Sequence, residues 1–387
     1  TAIMAYRKLA ADNIFTGEEM LDGNFVLVID DLGIVQDIIS AGNAGTEIER
    51  YQGIITPGFI NCHCHLELSH MRGAIPEKTG MVDFLLAVMS SRNTDEEEIQ
   101  LAIKSADAEM RKNGIVAVGD ICNTEHTISL KKSSGINYHN FIEATGFVPA
   151  TAKTRFNSFV ELYNKFTGIG NSSIVPHAPY SVSKELFSLI NNFKSDQLLT
   201  MHNQESAAEN EFFLTAEGDF LKLFSAIGVD LKHFNRTGKS SLLSSIENIS
   251  VSHRMILVHN VLTDKKDIEG LGARINNIYW CFCPNANIYI NNNLPDISLI
   301  REYSSDIVLG TDSLASNHQL NILAEIKTLQ DNFPLLTLAE LLKWATLNGA
   351  KALGIDKQYG SFQKGKKPGI NLINNSTITP LQVPVKS

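Results

Sequence analysis

The stretch IITPGFINCHCHLELS (residues 54–69) is an apolar run that ends in two histidines, His63 and His65. Residues i and i+2 of a β-strand point to the same face, so both imidazoles can contact one ion. A single histidine in this setting is more often a packed core residue than a ligand. Two histidines on one face at the end of a strand instead predict a metal site.

Seven more apolar runs of this kind follow along the chain, with helical patterns between them. Together with residues 54–63, the runs are 115–121, 136–146, 172–181, 198–206, 255–261, 278–287 and 306–313. Strands that alternate with helices indicate parallel βαβ units, and nearly continuous apolar strands indicate burial on both faces. Eight such units predict an α/β fold with a (β/α)8 TIM-type barrel over residues 57–357.

The two ends of the chain have a different pattern. Residues 1–56 contain short apolar stretches separated by turn signals such as Asp22-Gly23-Asn24. The segment 358–387 is similar, with Pro368-Gly369 between short apolar runs. Neither end shows the helical periodicity of the middle. We therefore expect both termini to form one small β-sandwich domain beside the barrel.

One helix between the runs can be predicted in detail. Thr94, followed three residues later by Glu97, predicts a capping box at its start. Apolar residues then recur at helical spacing as far as Met110, and Asn113-Gly114 supplies a stop. We assign the acidic run 95–98 to the start of this helix rather than to a functional site.

Composition and charge narrow the class of protein. The chain has 387 residues and a formal net charge of −9, which argues against a general nucleic-acid-binding surface. It contains no apolar stretch long enough to span a membrane. The five cysteines are odd in number and lie in apolar segments, which indicates reduced thiols. We expect a cytoplasmic enzyme with a small-molecule substrate, and a homodimer is compatible with the sequence.

Further polar residues end the later runs, where the catalytic side chains of a barrel lie. His202 is in the fifth run, His259 in the sixth and Asp312 in the eighth. Three histidines and a carboxylate suit one divalent ion, Zn²⁺ first and Fe²⁺ second. We assign His63, His65, His202 and Asp312 to the metal and His259 to the activated water or the developing oxyanion. An exchange of His259 with one of the ligands stays open.

Glu205 follows His202 by three residues in the stretch HNQE. Hydrolytic deamination needs a group that takes a proton from water and returns one to the leaving nitrogen. A carboxylate beside the ion but not bound to it suits that task. The alternative is a surface residue that begins the next helix, SAAENEFF. We take Glu205, His259 and Asp312 as the catalytic residues.

These residues together resemble the amidohydrolase superfamily, and within it the cytosine deaminase and chlorohydrolase-like branch. The resemblance rests on TPGFINCHCH (56–65), His202, His259 and GTDS (310–313), and it spans almost the whole chain. It implies a metal-dependent hydrolase with the barrel and terminal β domain described above. It also implies a single ion, because the fourth run, SSIVPHAPYS, has no lysine that could bridge two ions.

Shorter motifs are similar to those of aminodeoxyfutalosine deaminases, which belong to the futalosine route to menaquinone. The motifs are HLELS (65–69), SR (91–92), HAPYS (177–181), ES (205–206) and EGDF (217–220). The resemblance implies a 6-aminopurine nucleoside-like substrate, with aminodeoxyfutalosine preferred, and the release of ammonia.

The same resemblance implies a set of substrate-binding residues. Glu67 would contact ribose hydroxyls, Arg92 the acidic tail of the substrate and His177 the purine. We also assign Asn285 and Ser316 to substrate binding. Asn285, in CPNAN (283–287), stands where the CPRSN-like form of the family has an arginine.

Other functions stay open at this point. The metal site does not separate aminodeoxyfutalosine from guanine, adenosine, methylthioadenosine or cytosine, or from the dechlorination of an azine ring, because the loops select the substrate. A further alternative, which is not an enzyme, is an inactive amidohydrolase scaffold that acts as a binding protein. Such a scaffold would usually have lost ligands, and every proposed ligand is present here.

Overall fold

A computed structural model of the chain describes residues 6–381. Its strands are β1 (Tyr6–Ala10), β2 (Asn13–Phe15), β3 (Met20–Asp22), β4 (Phe25–Asp30), β5 (Val35–Ser40), β6 (Glu49–Arg50), β7 (Ile54–Pro57), β8 (Phe59–Cys64), β9 (Ile115–Cys122), β10 (Asn137–Ala144), β11 (Asn171–Pro176), β12 (Leu198–Asn203), β13 (Arg254–His259), β14 (Ile278–Phe282), β15 (Ile307–Leu309), β16 (Ile370–Asn374) and β17 (Thr377–Pro380).

The α-helices lie mainly between the strands of the middle region. They are α1 (Met81–Ser91), α2 (Glu96–Lys112), α3 (Ile128–Lys131), α4 (Ala152–Lys165), α5 (Lys184–Phe193), α6 (Ala207–Thr215), α7 (Phe220–Ala226), α8 (Ser241–Ser245), α9 (Lys265–Leu271), α10 (Pro284–Asn291), α11 (Ile297–Tyr303), α12 (Ile322–Asn332), α13 (Leu338–Lys343) and α14 (Gly349–Leu353). Short 3₁₀ turns, such as Leu66–Met71 after β8, complete several connections.

Strands β8 to β15 form two four-stranded parallel sheets, in the orders β11-β10-β9-β8 and β12-β13-β14-β15. Each of these strands lies in one of the predicted apolar runs, so the prediction of an α/β fold with parallel strands is confirmed. Every residue of β8 and of β12 is buried. Burial on both faces explains why these segments are continuously apolar rather than alternating.

Two backbone contacts join the edges of these sheets. Cys64, at the end of β8, forms a parallel bridge with Asp312, which follows β15. The N–H of His202 in β12 donates to the carbonyl of His177, just after β11, at 2.9 Å. The carboxyl ends of strands from both sheets therefore meet on one side of the molecule.

The other strands come from both ends of the chain. They form two further sheets, in the orders β5-β4-β1-β6 and β17-β16-β7-β2-β3. Antiparallel pairing of β7 with β16 places Ile55 opposite Leu372. One buried apolar cluster contains Leu9 and Leu27 of the first sheet together with Ile14 and Ile55 of the second. The two sheets therefore share an apolar core.

The first predicted run, 54–63, is two strands rather than one. Ile54–Pro57 pairs in the terminal sheet, and Phe59–Cys64 is the first parallel strand. Gly58 lies between them, where a Cβ atom would come 2.8 Å from the carbonyl oxygen of Pro368. The predicted boundary at residues 56–57 thus falls within β7, and the division into domains stays a prediction.

Helix α2 begins at Glu96, and its cap is Asp95, one residue later than the predicted cap. The side chain of Asp95, not Thr94, accepts a hydrogen bond from the N–H of Glu97 at 2.9 Å. The hydroxyl of Thr94 instead donates to Glu98 at 2.9 Å. The predicted helix is confirmed and the predicted cap residue was wrong.

The core beneath the parallel sheets is large and apolar. Trp280, Phe59, Phe141 and Phe282 are completely buried in it. All five cysteines are buried and free, as expected for reduced thiols. Within residues 6–381, no helix combines the length and the apolar character needed to cross a lipid bilayer.

Candidate metal centre and active site

Three imidazoles and a carboxylate meet at the carboxyl ends of the parallel strands. The Nε2 atom of His65 lies 3.2 Å from Nε2 of His63 and 3.2 Å from Nε2 of His202. Oδ1 of Asp312 lies 3.5 Å from Nε2 of His63 and 3.4 Å from Nε2 of His65. All four residues are buried. The structure thus brings together the four predicted ligands.

This donor set fits a divalent metal ion. Nδ1 of His202 lies 2.9 Å from the carbonyl oxygen of His177, to which it donates, so Nε2 of the neutral ring keeps its lone pair. Tetrahedral coordination at about 2.0–2.1 Å would space nitrogen ligands about 3.3 Å apart. The observed spacing of 3.2 Å agrees with that value. Imidazoles with one carboxylate suit Zn²⁺ or Fe²⁺.

Burial favours the neutral, metal-binding form of His65 and His202. It lowers the pKa of His65 to about 3 and also lowers the pKa of His202. Burial would raise the pKa of Asp312, but the hydrogen bond from His63 and the neighbouring histidines hold it well below its usual value. Neutral imidazoles and an ionised carboxylate are the protonation states that metal binding requires.

Local contacts fix Asp312 beside β8. Asn61 donates through Nδ2 to the hydroxyl of Thr311 at 2.7 Å and accepts the N–H of Thr311 at 3.1 Å. The N–H of Asp312 donates to the carbonyl of His63 at 3.0 Å. Gly310 permits this approach, since a Cβ there would lie 2.8 Å from Cβ of His63. Asp312 has a φ of +57°, a strained conformation of the kind found at functional sites.

Glu205 and His259 lie next to the four predicted ligands. Nε2 of His259 is 3.3 Å from Oε1 of Glu205. Asn287 donates through Nδ2 to Nδ1 of His259 at 2.9 Å, so the proton of the neutral ring is on Nε2. Burial, followed by the charges of Asp312 and Glu209, raises the pKa of Glu205 well above its usual value.

A cavity of about 560 Å³ opens onto these groups. This volume is typical of sites that bind small molecules. The polar part of its wall includes His65, His177, His202, Glu205, His259 and Asp312.

Arg92 and His177 also line this cavity, whereas Glu67 does not. Oε2 of Glu67 accepts hydrogen bonds from the N–H groups of Asn123 at 3.0 Å and Thr124 at 2.9 Å. Its other oxygen is paired with Arg92. In the structure Glu67 therefore holds Arg92 and the segment after β9, and its contact with ribose hydroxyls stays a prediction.

Asn285 and Ser316 are likewise absent from the cavity wall. The backbone N–H and Nδ2 of Asn285 donate to Glu325 at 2.9 and 3.0 Å. The hydroxyl of Ser316 donates to Oδ2 of Asp312 at 2.6 Å. Asn285 thus holds the start of α10 and Ser316 orients Asp312, and the contacts of these two residues with substrate stay predictions.

Two charged residues of the cavity wall, Glu143 and Arg155, were not among the predicted site residues. Glu143 lies in β10, in one group with His177 and His202 whose polar atoms are within 4.8 Å of one another. It accepts a hydrogen bond from Nδ2 of Asn123 at 3.0 Å. Glu143 lies near the end of the third apolar run, so the rule that identified His202 was sufficient to find it. Nothing in the sequence marks Arg155, which lies in α4.

The chain is similar to proteins of one known family. Residues 54–385 match the amidohydrolase family. An adenosine deaminase of Helicobacter pylori is 27% identical, with 89% of this chain and 87% of that protein covered. An aminodeoxyfutalosine deaminase of Nitratiruptor sp. is 26% identical, with 86% of this chain and 81% of that protein covered.

A solved structure shows the same fold. Helicobacter pylori aminofutalosine deaminase in complex with methylthio-coformycin has a TM-score of 0.81 at 24% identity, with 95% of this chain and 93% of that chain covered. The match to the family covers most of the sequence and includes every predicted metal ligand. The chain therefore belongs to the amidohydrolase family and is a hydrolase that acts on carbon–nitrogen bonds.

Proposed function

We propose that this chain is a metal-dependent deaminase that removes the ring amino group of an adenosine-like nucleoside. The observation that carries the proposal is one cavity wall that contains three of the four predicted ligands, His65, His202 and Asp312, together with a buried carboxylate, Glu205, that has a raised pKa. Relatives that deaminate adenosine and aminodeoxyfutalosine support it.

His63, His65, His202 and Asp312 would hold a single ion, Zn²⁺ or Fe²⁺. When bound, such an ion acidifies water from a pKa of about 15.7 to roughly 7, which makes hydroxide available at neutral pH. Ser316 supports this role, because its hydroxyl fixes one carboxylate oxygen of Asp312 and leaves Oδ1 facing the histidines.

Glu205 and His259 would perform the proton transfer and charge stabilisation. Glu205 takes a proton from the attacking water and delivers it to the leaving amino nitrogen, so ammonia departs and a ring carbonyl remains. Its raised pKa suits a group that must hold and release this proton. Nε2–H of His259 is oriented by Asn287 and donates to the oxygen on which negative charge develops.

The rest of the cavity favours a nucleoside with a large substituent. Beyond the polar wall, the lining is mainly apolar and includes Phe84, Phe147 and Phe224. Arg155 stands in the same wall, where its guanidinium donates to the hydroxyl of Thr145 at 2.9 Å, and no carboxylate within residues 6–381 pairs with it. This apolar part of the cavity, together with an arginine, suits a substrate whose substituent is both hydrophobic and acidic. We therefore propose aminodeoxyfutalosine as the substrate.

A second candidate substrate is methylthioadenosine or a similar neutral nucleoside. The apolar part of the cavity lining favours this candidate, because a short hydrophobic substituent would fill the space beside Phe84 and Phe147 without needing a cation. An inactive scaffold is disfavoured, because Glu205 lies in the wall of one open cavity together with three of the four proposed ligands.

We also propose that β8 to β15 close into a (β/α)8 barrel and that the two terminal sheets form a β-sandwich. The Cys64–Asp312 bridge and the His202–His177 hydrogen bond support the first proposal. The apolar cluster that Leu9 shares with Ile55 supports the second.

An ammonia-release assay tests the proposed function. The purified, metal-loaded protein should deaminate aminodeoxyfutalosine with a higher kcat/KM than adenosine, methylthioadenosine, guanine or cytosine. Preference for methylthioadenosine would favour the second candidate. Absence of release from every nucleoside and base would overturn the proposed function.

The variant Arg155→Met distinguishes between the two candidate substrates. We expect KM for aminodeoxyfutalosine to rise about tenfold or more, as for the loss of a charged hydrogen bond, with little change for methylthioadenosine. Lys153→Met, an exposed change in the same helix, is the matched control. Equal effects of Arg155→Met on both substrates would exclude a contact with the acidic tail.

A further inference from the structure

The turn that carries Glu205, residues 203–206 between β12 and α6, has a strained backbone. Gln204, which directly precedes Glu205, has a φ of +47°, in the left-handed region that residues other than glycine seldom adopt. Conformations of this kind persist only where the surrounding structure holds them. The contacts of the turn therefore decide where the carboxylate of Glu205 points.

Glu209, in the first turn of α6, binds both N–H groups of this strained segment. Its Oε1 accepts the N–H of Gln204 at 3.1 Å, and its Oε2 accepts the N–H of Glu205 at 3.2 Å. Glu209 is only 1% exposed, so water does not compete for these bonds. Hydrogen bonds from backbone N–H groups to a carboxylate are about twice as strong as neutral ones.

The carbonyl groups of the same two residues are also bound. The N–H of Leu262 donates to the carbonyl of Gln204 at 3.0 Å. Nδ2 of Asn291 donates to the carbonyl of Glu205 at 3.1 Å. The N–H and carbonyl groups of both Gln204 and Glu205 therefore all have hydrogen-bond partners. Glu209 supplies the acceptors for the two N–H groups.

The side chain of Gln204 ties the turn to the segment that follows His259. The hydroxyl of Thr263 donates to Oε1 of Gln204 at 2.6 Å, and Nε2 of Gln204 donates to Asp267 at 2.8 Å. The turn therefore has a fixed position relative to β13. With its N–H groups held by Glu209, the side chain of Glu205 is aimed at His259, whose Nε2 lies 3.3 Å from Oε1 of Glu205.

We propose that Glu209 is a positioning residue that fixes the strained turn and thereby aims the carboxylate of Glu205. Glu209 does not line the cavity, so it acts through Glu205 and not by touching substrate. The consequence for turnover rests on the proposed deaminase function, whereas the consequence for the turn does not.

Hydrogen exchange tests the effect on the turn without any substrate. Glu209→Gln keeps the size of the side chain but loses one of its two acceptors, and Glu209→Asp keeps the charge on a shorter side chain. In each variant we expect the amides of Gln204 and Glu205 to exchange about tenfold faster or more, with protection of β13 unchanged. The matched control is Glu211→Gln, an exposed change in the same helix. Unchanged exchange at both amides in both variants would overturn the proposal.

Kinetics then test the effect on Glu205. We expect Glu209→Gln to lower kcat about tenfold or more while KM and metal content stay near those of the unaltered protein. In a Glu205→Gln background, Glu209→Gln should have little further effect, because its target is already lost. Additive losses would show that Glu209 acts elsewhere and would overturn its positioning role. A protein without deaminase activity but with the expected exchange at residues 204–205 would contradict only the proposed function.

Discussion

Glu205 combines three properties in one side chain: it is buried, it has a raised pKa, and it lies beside His259 rather than within the proposed ligand set. Replacement with glutamine keeps the shape and removes the proton carrier. We expect Glu205→Gln to retain its metal ion and to lose about 10²- to 10⁴-fold in kcat. Elemental analysis and the ammonia assay on the same preparation check both parts. A near-normal kcat would remove Glu205 from the proposed mechanism.

The buried histidine His139 has a consequence for the pH dependence of stability. Burial, then the charges of Arg254 and Lys131, lowers its pKa to about 3. Between pH 3 and its ordinary pKa of about 6.5, the unfolded chain binds a proton at this residue and the folded chain does not. Stability is therefore lost as pH falls through this window, by up to about 1.4 kcal/mol per pH unit from this group.

His139→Gln should remove this contribution. Urea unfolding at pH 7, 6 and 5 should show a smaller loss of free energy of unfolding in the variant than in the unaltered protein. His233→Gln, which changes an exposed histidine, is the control. An unchanged pH slope in His139→Gln would contradict the low pKa of this residue.

Individual site residues were predictable where they lie at or just beyond the end of an apolar run. His63, His65, His202, His259 and Asp312 end apolar runs, and strand ends of parallel sheets meet on one side. Side chains that lie away from the ends of the apolar runs were harder to assign to a role. Glu67 lies in a 3₁₀ turn, and whether its carboxylate meets the cavity or Arg92 depends on contacts distant in sequence.

Helix α2 provides a test at the level of one element. Asp95 caps its N-terminus by accepting the N–H of Glu97, while Thr94 bonds only to the exposed side chain of Glu98. Asp95→Ala should lower the free energy of unfolding by about 1 kcal/mol. Thr94→Ala should have a clearly smaller effect. Urea denaturation of the two variants compares them, and the reverse order would show that Thr94 is the cap.

The elements themselves were mostly predictable, because burial on both faces leaves a long apolar run. The exception is instructive. Residues 54–63 form one mainly apolar run, yet the run divides at Gly58 into strands of two different sheets. The division depends on the pairing of β7 with β16, which lies about 300 residues away in the chain. Local periodicity contains no information about such a partner.

The whole molecule should bind one metal ion per chain, because the four proposed ligands form a single set without a bridging lysine. Elemental analysis should give about one transition-metal ion per chain, and two would contradict the proposal. Chelation should lower the Tm, since a ligand present at about 1,000 times its Kd stabilises a fold by about 4 kcal/mol. Readdition of Zn²⁺ should restore the Tm, and a Tm insensitive to chelation would count against the site.

Strand β7 is flanked in its sheet by β2 and β16, and β16 in turn pairs with β17. During translation, β2 and β7 leave the ribosome early, whereas β16 follows only after the parallel strands have been made. The edge of β7 that pairs with β16 therefore has no pairing strand while the middle of the chain folds. Unpaired strand edges favour aggregation in such intermediates. Chaperone dependence during synthesis should accordingly be greatest before residues 370–374 emerge.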